Sequence, residues 1–315
     1  MFEIAGQSNL DAARIGFHVA FMSQLEGSAP TEIEGLGRMV GSTTSLEEWE
    51  WLGDLPGFTE WVGDRKISEI EAFKLQIRNR DWQSAVPISE NNLKDDKMGL
   101  FAGMPQELAR IARAHRGTLM TQCLLNGFTG SAFPVAGNGL AYDGALFFSD
   151  SHVTSGGPAQ SNKMTAALGA SGLTEARRKL RQMRTADGAR SLGLRGTHLI
   201  VGPKLEEPAE KLMTAELLPS AAGTAPESNV HRNKYKVVVS PDLVDDFDDY
   251  WFLGDFSSSM FRPVIFQLRE EITPRSLGIE SEGGFMRKRI LFGADARYNV
   301  GPFAWQTIIG STGAG

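Results

Sequence analysis

Five histidines, one cysteine and two runs of like charge are the residues of this chain whose types could do chemistry. Asp150-Ser151-His152 sets an acid, a hydroxyl and an imidazole in a row, the three groups of a hydrolytic triad. Triad partners converge in space from separate segments, so adjacency in sequence argues for a polar loop, and a hydrolase using His152 and nearby acids stands as the enzymatic alternative. His18, His115, His152, His198 and His231 are scattered, and none sits at metal-ligand spacing from another His or from a Cys. Asp245-Asp246-Phe247-Asp248-Asp249 gathers carboxylates, but a calcium loop alternates its oxygen ligands and turns on a Gly. Phe247 breaks the alternation, so the run reads as an acidic surface. Arg177, Arg178, Lys179 and Arg181 make a basic run on a helix, read as a solvated face or a contact with an acidic neighbour ahead of nucleic acid. Cys123 is the single cysteine, which excludes an intrachain disulfide and a Cys-rich zinc site; it reads as a small buried hydrophobe. His115 shares its helical stripe and reads as a core or interface histidine. The chain carries no Gly-x-Ser-x-Gly elbow, Walker loop, dinucleotide fingerprint or His-Glu-x-x-His helix. The reading is therefore a protein without catalytic residues, cofactor or metal.

Composition points the same way. With 315 residues and 41% hydrophobic side chains, the chain can bury a sizeable core in one large or two intertwined domains. A net charge of −6 argues against a surface built to neutralise phosphates, though not against enclosing nucleic acid. No apolar run approaches the roughly 20 residues of a membrane helix. The first residues lack a basic, cleavable leader pattern, so the protein is expected to be made in the cytoplasm and to stay soluble until it meets a partner.

The elements that must position these residues follow from periodicity. Leu10, Phe17, Phe21 and Leu25 recur at helical spacing over the first 26 residues, with Ser8 and Asp11 as a capping signal. Gly27 to Gly41 reads as an extended or looped arm. Residues 91 to 126 read as helical, with Pro105 in a first turn, Met104, Leu108, Ile111, His115, Leu119 and Cys123 as one stripe, and Asn126-Gly127 as the C-cap. Tyr142-Asp143-Gly144 reads as a turn into a strand at 145–148. Helices at 174–184 and 206–217 alternate with strands at 197–201 and 235–239, which says α+β or α/β for the middle. Strands at 263–268, 289–292 and an alternating Phe303, Trp305, Thr307, Ile309 close the chain, and residues 310–315 are expected to be disordered.

Residues 42 to 90 are the unusual stretch. Trp49, Trp51, Trp61 and Trp82 are four of the six tryptophans, set among Gly53-Asp54, Pro56-Gly57 and Gly63-Asp64. Phe73, Leu75 and Ile77 alternate with Lys74, Gln76 and Arg78, and Val86 and Ile88 continue the pattern, which predicts a long two-stranded β excursion. Four tryptophans could bury about 600–1,000 Å², worth roughly 15–25 kcal/mol at ~25 cal/mol/Å². Ordering some 45 residues costs about 1–2 kcal/mol each. The excursion therefore cannot stabilise itself; it must pack on its own body or on a neighbouring chain, and aromatic residues are favoured interface anchors.

Many short motifs then occur in one order. Leu55 to Phe58, Glu60 to Arg65, Ile77 to Trp82, Val86-Pro87-Ile88 and Asn91 to Asp96 with Gly99 are followed by Leu124 to Phe128, Tyr142-Asp143-Gly144 and Phe147 to His152. Trp251-Phe252-Leu253, Pro263 to Gln267, Phe285-Met286-Arg287 and Gly293 to Arg297 complete the series. This series resembles the Mu-like phage major head subunit family over roughly residues 35 to 312. The resemblance implies an α+β chain with the Hong Kong phage-type capsid fold. Residues 1–40 would be an N-terminal arm, 41–90 an extended β-hairpin loop, 91–127 the spine helix of a peripheral domain, 128–258 an axial domain, and 259–315 the closing peripheral strands and tail. It also implies a major capsid protein that assembles as pentamers and hexamers into an icosahedral shell around double-stranded DNA. The implied partners are many copies of itself, scaffold/protease and portal proteins, and packaged DNA without sequence-specific contacts, but no membrane. Its place would be the virion, after assembly in the bacterial host cytoplasm. Candidate inter-subunit contacts are Trp49, Trp51, Phe58, Trp61, Arg65, Trp82, Phe17 and Phe21. An encapsulin-like nanocompartment shell is the alternative of the same fold.

Overall fold

The computed structural model describes residues 4–52, 72–89, 91–92, 103–130, 132–133, 139–153, 158–185, 188, 190–219, 226–278, 286 and 288–314. In chain order its elements begin with α1 (Ile4–Gly27), β1 (Arg38–Gly41), β2 (Leu46–Leu52), β3 (Ala72–Arg78), β4 (Arg80–Ser89) and α2 (Met104–Thr129). There follow β5 (Lys163–Met164), α3 (Ala170–Gln182), β6 (His198–Val201), α4 (Pro203–Thr214), β7 (Leu217–Leu218), β8 (Glu227–Ser228) and β9 (Lys236–Val239). The last are β10 (Trp251–Gly254), β11 (Val264–Leu277), β12 (Arg289–Pro302) and β13 (Ile308–Ser311). The chain divides into two compact units: Met1–Thr31, Asn79–Gly117 and Leu268–Tyr298 form the first, and Glu32–Arg78, Thr118–Gln267 and Asn299–Gly315 the second.

In the first unit, β4 pairs antiparallel with β12 from Ser89↔Arg289 to Arg80↔Tyr298. Within this unit β12 lies between β4 and the second part of β11, in the order β11-β12-β4. Period-2 patterning decides which side is covered: Ile290 and Phe292 are buried between exposed Arg289 and Leu291. Helix α1 lays Phe17 and Phe21 inward, and Phe17 stacks on Phe292 with centroids 4.3 Å apart. Ser8 lies inside α1 instead of capping it. In the first half of α2, Arg116 is 2% exposed, ion-paired with Glu271 and laid over the Tyr298 ring. A buried guanidinium needs both a charge partner and a surface for its flat face.

The second unit is built on a five-stranded mixed sheet of order β5-β13-β10-β6-β9. Strands β10 and β13 run antiparallel, β10 and β6 antiparallel, and β6 and β9 parallel across the α4 crossover. All four residues of β10 and of β13 are buried, the pattern of strands covered on both faces. Leu119, Met120, Cys123, Leu124 and Leu125 on the second half of α2 are buried too. Burial pushes the Cys123 thiol far up, so it stays protonated and inert.

Several boundaries differ from the sequence expectation for identifiable reasons. Helix α2 continues to Thr129 and passes through Gly127, where a Cβ would lie 2.8 Å from the Phe148 ring. Gly127 is thus a close-packing glycine, and Gly130 at φ +80° ends the helix, its N–H reaching the Asn126 carbonyl at 2.6 Å. The strands expected at 263–268 and 289–292 are each 14 residues long, because charged residues such as Glu270, Arg275 and Asp295 occupy their outward positions. Residues 305–307 form a 3-10 turn instead of strand. Residues 145–148 are held by a single bridge, Leu140↔Leu146, instead of forming a strand. Residues 308–311 are a buried strand, not a disordered tail; at Gly310 a Cβ would lie 2.7 Å from both Phe128 and Phe148. The arm is tied down as well. Ile33, Glu34 and Leu36 are buried, and Arg262 Nη1 donates to the Gly35 carbonyl at 2.6 Å.

Candidate assembly site

The base of the excursion is a two-stranded antiparallel hairpin. Strands β2 and β3 pair from Leu46↔Arg78 to Leu52↔Ala72, setting Trp49 opposite Leu75 and Trp51 opposite Phe73. Alternation sends Leu75 and Ile77 into the core while Lys74, Gln76 and Arg78 stay exposed. Those two residues cluster with Ile265, Phe303 and Ala304, and Val40 and Trp49 pack against the cluster. Trp49 Nε1 donates to Gln267 Oε1 at 2.8 Å, and Gln267 Nε2 donates to the Ile77 carbonyl at 3.2 Å. The buried Gln267 amide therefore links both strands of the hairpin to β11.

The hairpin's entry is set by one carboxylate. Glu47 Oε1 accepts from the Thr43 and Thr44 amides at 2.6 and 2.8 Å and from Ser42 Oγ at 3.0 Å. The two backbone donors, with smaller help from the Ser42 and Thr44 hydroxyls, lower the Glu47 pKa to about 2. On the outer face, Glu48 accepts from Gln76 Nε2 at 2.7 Å and lies 3.5 Å from Lys74.

The expected contact residues now separate. Trp49 is half-buried and anchored within its own chain. Trp82 is also half-buried: its Nε1 donates to the Tyr298 carbonyl at 2.9 Å and its ring meets His115 at 4.4 Å. Burial lowers the His115 pKa, and His115 Nδ1 shares a hydrogen bond of 2.9 Å with the Tyr298 hydroxyl. Beside this trio a groove of about 240 Å³ opens, with Ile111 on its wall, 51% exposed. Phe17 and Phe21 are 8% and 0% exposed, which leaves neither ring a face for a neighbour in this conformation. Trp51 is placed by backbone register alone, and Phe58, Trp61 and Arg65 lie outside the described residues.

His152 is not in a solvated polar loop. It is 1% exposed, lies flat on the Trp305 ring at 3.9 Å and 9°, and meets Asp143 Oδ2 through Nδ1 at 2.7 Å. Its Nε2 lies 3.2 Å from Asn162 Oδ1. Asn162 Nδ2 donates to the Phe147 and Trp305 carbonyls, which fixes the amide orientation and makes Oδ1 the acceptor. Nε2 is therefore the donor to Asn162, and Nδ1 faces the Asp143 carboxyl. Both ring nitrogens are committed, and no Ser, Thr or Cys side chain bonds to the ring among the described residues. The centre holds Asp143, His152 and Asn162 together against the 3-10 turn at Trp305. Sequence reading missed it because Asp143 and Asn162 flank His152 at nine and ten residues; the one signal was the Asp143-Gly144 turn.

Among the described residues no group of three or more His, Cys, Asp or Glu is placed to hold a metal. No helix there is long and apolar enough to cross a membrane. In the acidic run, Lys204 bridges Asp248 and Asp249 at 3.0 and 2.9 Å.

This mixed α+β chain, with two 14-residue strands and a two-stranded hairpin, has the Hong Kong phage-type capsid fold. The procapsid of bacteriophage JBD30 is similar in structure, with a TM-score of 0.56 at 22% identity, covering 96% of this chain and 75% of that one. Residues 10–172, 160–243 and 242–314 match the family described as Mu-like prophage major head subunit gpT, and the chain belongs to that family. The Mu-like prophage FluMu major head subunit of Haemophilus influenzae is 25% identical over 293 residues, 93% of this chain and 69% of that protein. The major capsid protein of Escherichia phage Mu is 31% identical over 149 residues, 47% of this chain and 46% of that protein.

Proposed function

We propose that many copies of this chain form pentamers and hexamers that close into an icosahedral shell around double-stranded DNA. The work is assembly, not turnover. Scaffold/protease and portal proteins take part in the bacterial host cytoplasm, and DNA is enclosed without sequence-specific contacts, in keeping with a net charge of −6. The observation that supports this best is the hairpin. A two-stranded β pair is marginal by itself, and the described base of this one is stitched to its own body by Trp49 donating to Gln267, Gln267 donating to the Ile77 carbonyl and Asn299 donating to the Arg78 carbonyl. Residues 41–90 serve as the loop that reaches a neighbouring copy, and Trp61 and Phe58 as its apolar anchors. Residues 1–40 form the arm, 91–127 the spine helix, 128–258 the axial domain and 259–315 the closing peripheral strands.

Trp61→Ala tests the reading. The variant keeps the circular dichroism spectrum of the unaltered chain but loses most of its particles by sedimentation. Particles of unchanged yield and thermal stability would remove the hairpin from the interface.

A further inference from the structure

The second unit carries a charge polarity that its own fold does not use. Helix α3 presents Thr174, Arg177 and Arg181 along one face, at spacings of three and four residues. Thr174 Oγ1 meets His231 Nε2 at 3.0 Å, which brings that face beside the loop carrying Lys234. Burial, then the charges of Arg177 and Arg181, lower the Lys234 pKa. None of these three cations is in an ion pair among the described residues, although Arg178 on the same helix is paired with Glu175. Val230, 57% exposed, lies in the same loop.

The opposite sign lies at the other end of the strands. Lys234 precedes β9, whose first residue Lys236 is level with His198 of β6. Residues 240–250 leave the far end of β9 and enter β10 at Trp251, level with Val201. Four-residue strands separate the two ends by about 10 Å. At that far end Asp245 and Asp246 are exposed and in no ion pair among the described residues, beside Val244 at 42% exposed. Asp248 and Asp249, by contrast, are both satisfied by Lys204.

We infer that the Arg177–Arg181–Lys234 surface docks the Asp245–Asp246 surface of the next copy around a ring. A ring needs two different, complementary surfaces on each subunit, unlike the self-complementary patch of a two-fold dimer. A basic pole and an acidic pole, each with an exposed valine, supply that pair, and opposite charges across an interface fix register and suppress wrong pairings. The inference rests on the ring-forming reading above and names the contact that sets its direction.

Charge reversal tests it on the full chain. R177E/R181E and D245K/D246K should each fold, by circular dichroism and thermal unfolding, yet lose particles by about tenfold or more, since like charges then face each other. The chain carrying all four changes should recover assembly, because the poles are exchanged instead of lost. Assembly of the unaltered chain should also weaken as salt rises. The inference is overturned if the reversed chains assemble like the unaltered one, or if the fourfold variant does no better than either pair. It is overturned equally if R177E/R181E shells form normally but retain less DNA, which would assign the basic surface to phosphates. Failure of these variants beside normal unaltered shells leaves the shell reading intact; absence of shells from the unaltered chain overturns both.

Discussion

The β2–β3 hairpin and the five-stranded sheet are β structure within the same unit, but they are buried in opposite ways. In β3 the described side chains alternate, Leu75 and Ile77 inward and Lys74, Gln76 and Arg78 outward. In β10 and β13 every residue is buried. The sheet satisfies both of its faces inside the chain. The described base of the hairpin buries one, and its polar tethers include the pair of Gln267 hydrogen bonds and the Asn299 bond to the Arg78 carbonyl. The difference teaches how burial divides the unit: the sheet strands β10 and β13 are covered inside the chain, and β3 keeps one face exposed, the face the proposed assembly gives to a neighbour.

Substitutions should split along that line. Trp251→Ala should have the largest effect, since Trp251 is 0% exposed and its Nε1 donates to the Ala166 carbonyl at 3.0 Å. The cavity should cost about 3–5 kcal/mol, read as a fall in thermal midpoint and poor accumulation of soluble chain. His152→Ala should come next or match it, at about 3–5 kcal/mol, because it strands the Asp143 carboxyl in the interior. Restoration of stability by His152→Phe, which keeps the stack on Trp305, would show that stacking outweighs the hydrogen bonds. Trp49→Phe keeps most of the apolar contact and removes one hydrogen bond, so denaturant unfolding should move by about 1 kcal/mol. Particle yield should fall more than stability does; equal falls would erase the distinction between the two regions.

The smallest effect is a pH dependence at the hairpin entry. Glu47 has its folded pKa depressed from 4.5 to about 2, so its contribution is full above the unfolded value and is lost as pH falls through the folded one. Thermal unfolding followed between pH 4.5 and 2 should show a downward slope that Glu47→Gln flattens. An identical slope in the variant would place the acid sensitivity elsewhere.

Legibility in the sequence followed the same divide. The alternation of Phe73, Leu75 and Ile77 gave the β3 strand and its core face directly, because a one-sided strand writes its burial into every second residue. Fully buried segments carry no such code. Phe303, Trp305, Thr307 and Ile309 alternate with Ala304, Gln306 and Ile308, yet all seven are buried and the middle three form a 3-10 turn. Glycine was ambiguous for a related reason. Gly127 and Gly310 resemble a helix cap and a loose tail by composition, but each is where an aromatic ring touches the backbone, a tertiary fact. The His152 centre was illegible because its meaning depends on Asn162 and Trp305, ten and 153 residues away. Of the candidate inter-subunit contacts, Trp49 and Trp82 have their indole N–H partners within the chain. Whether an aromatic residue anchors the chain to itself or to a neighbour is decided by a partner's position, which spacing does not encode.

Electron microscopy of the purified full chain tests the central claim most directly. The account predicts closed shells with pentameric and hexameric units, in which density from one subunit's hairpin lies across its neighbour. A folded chain that stays monomeric at every concentration, with no closed particles, would contradict it.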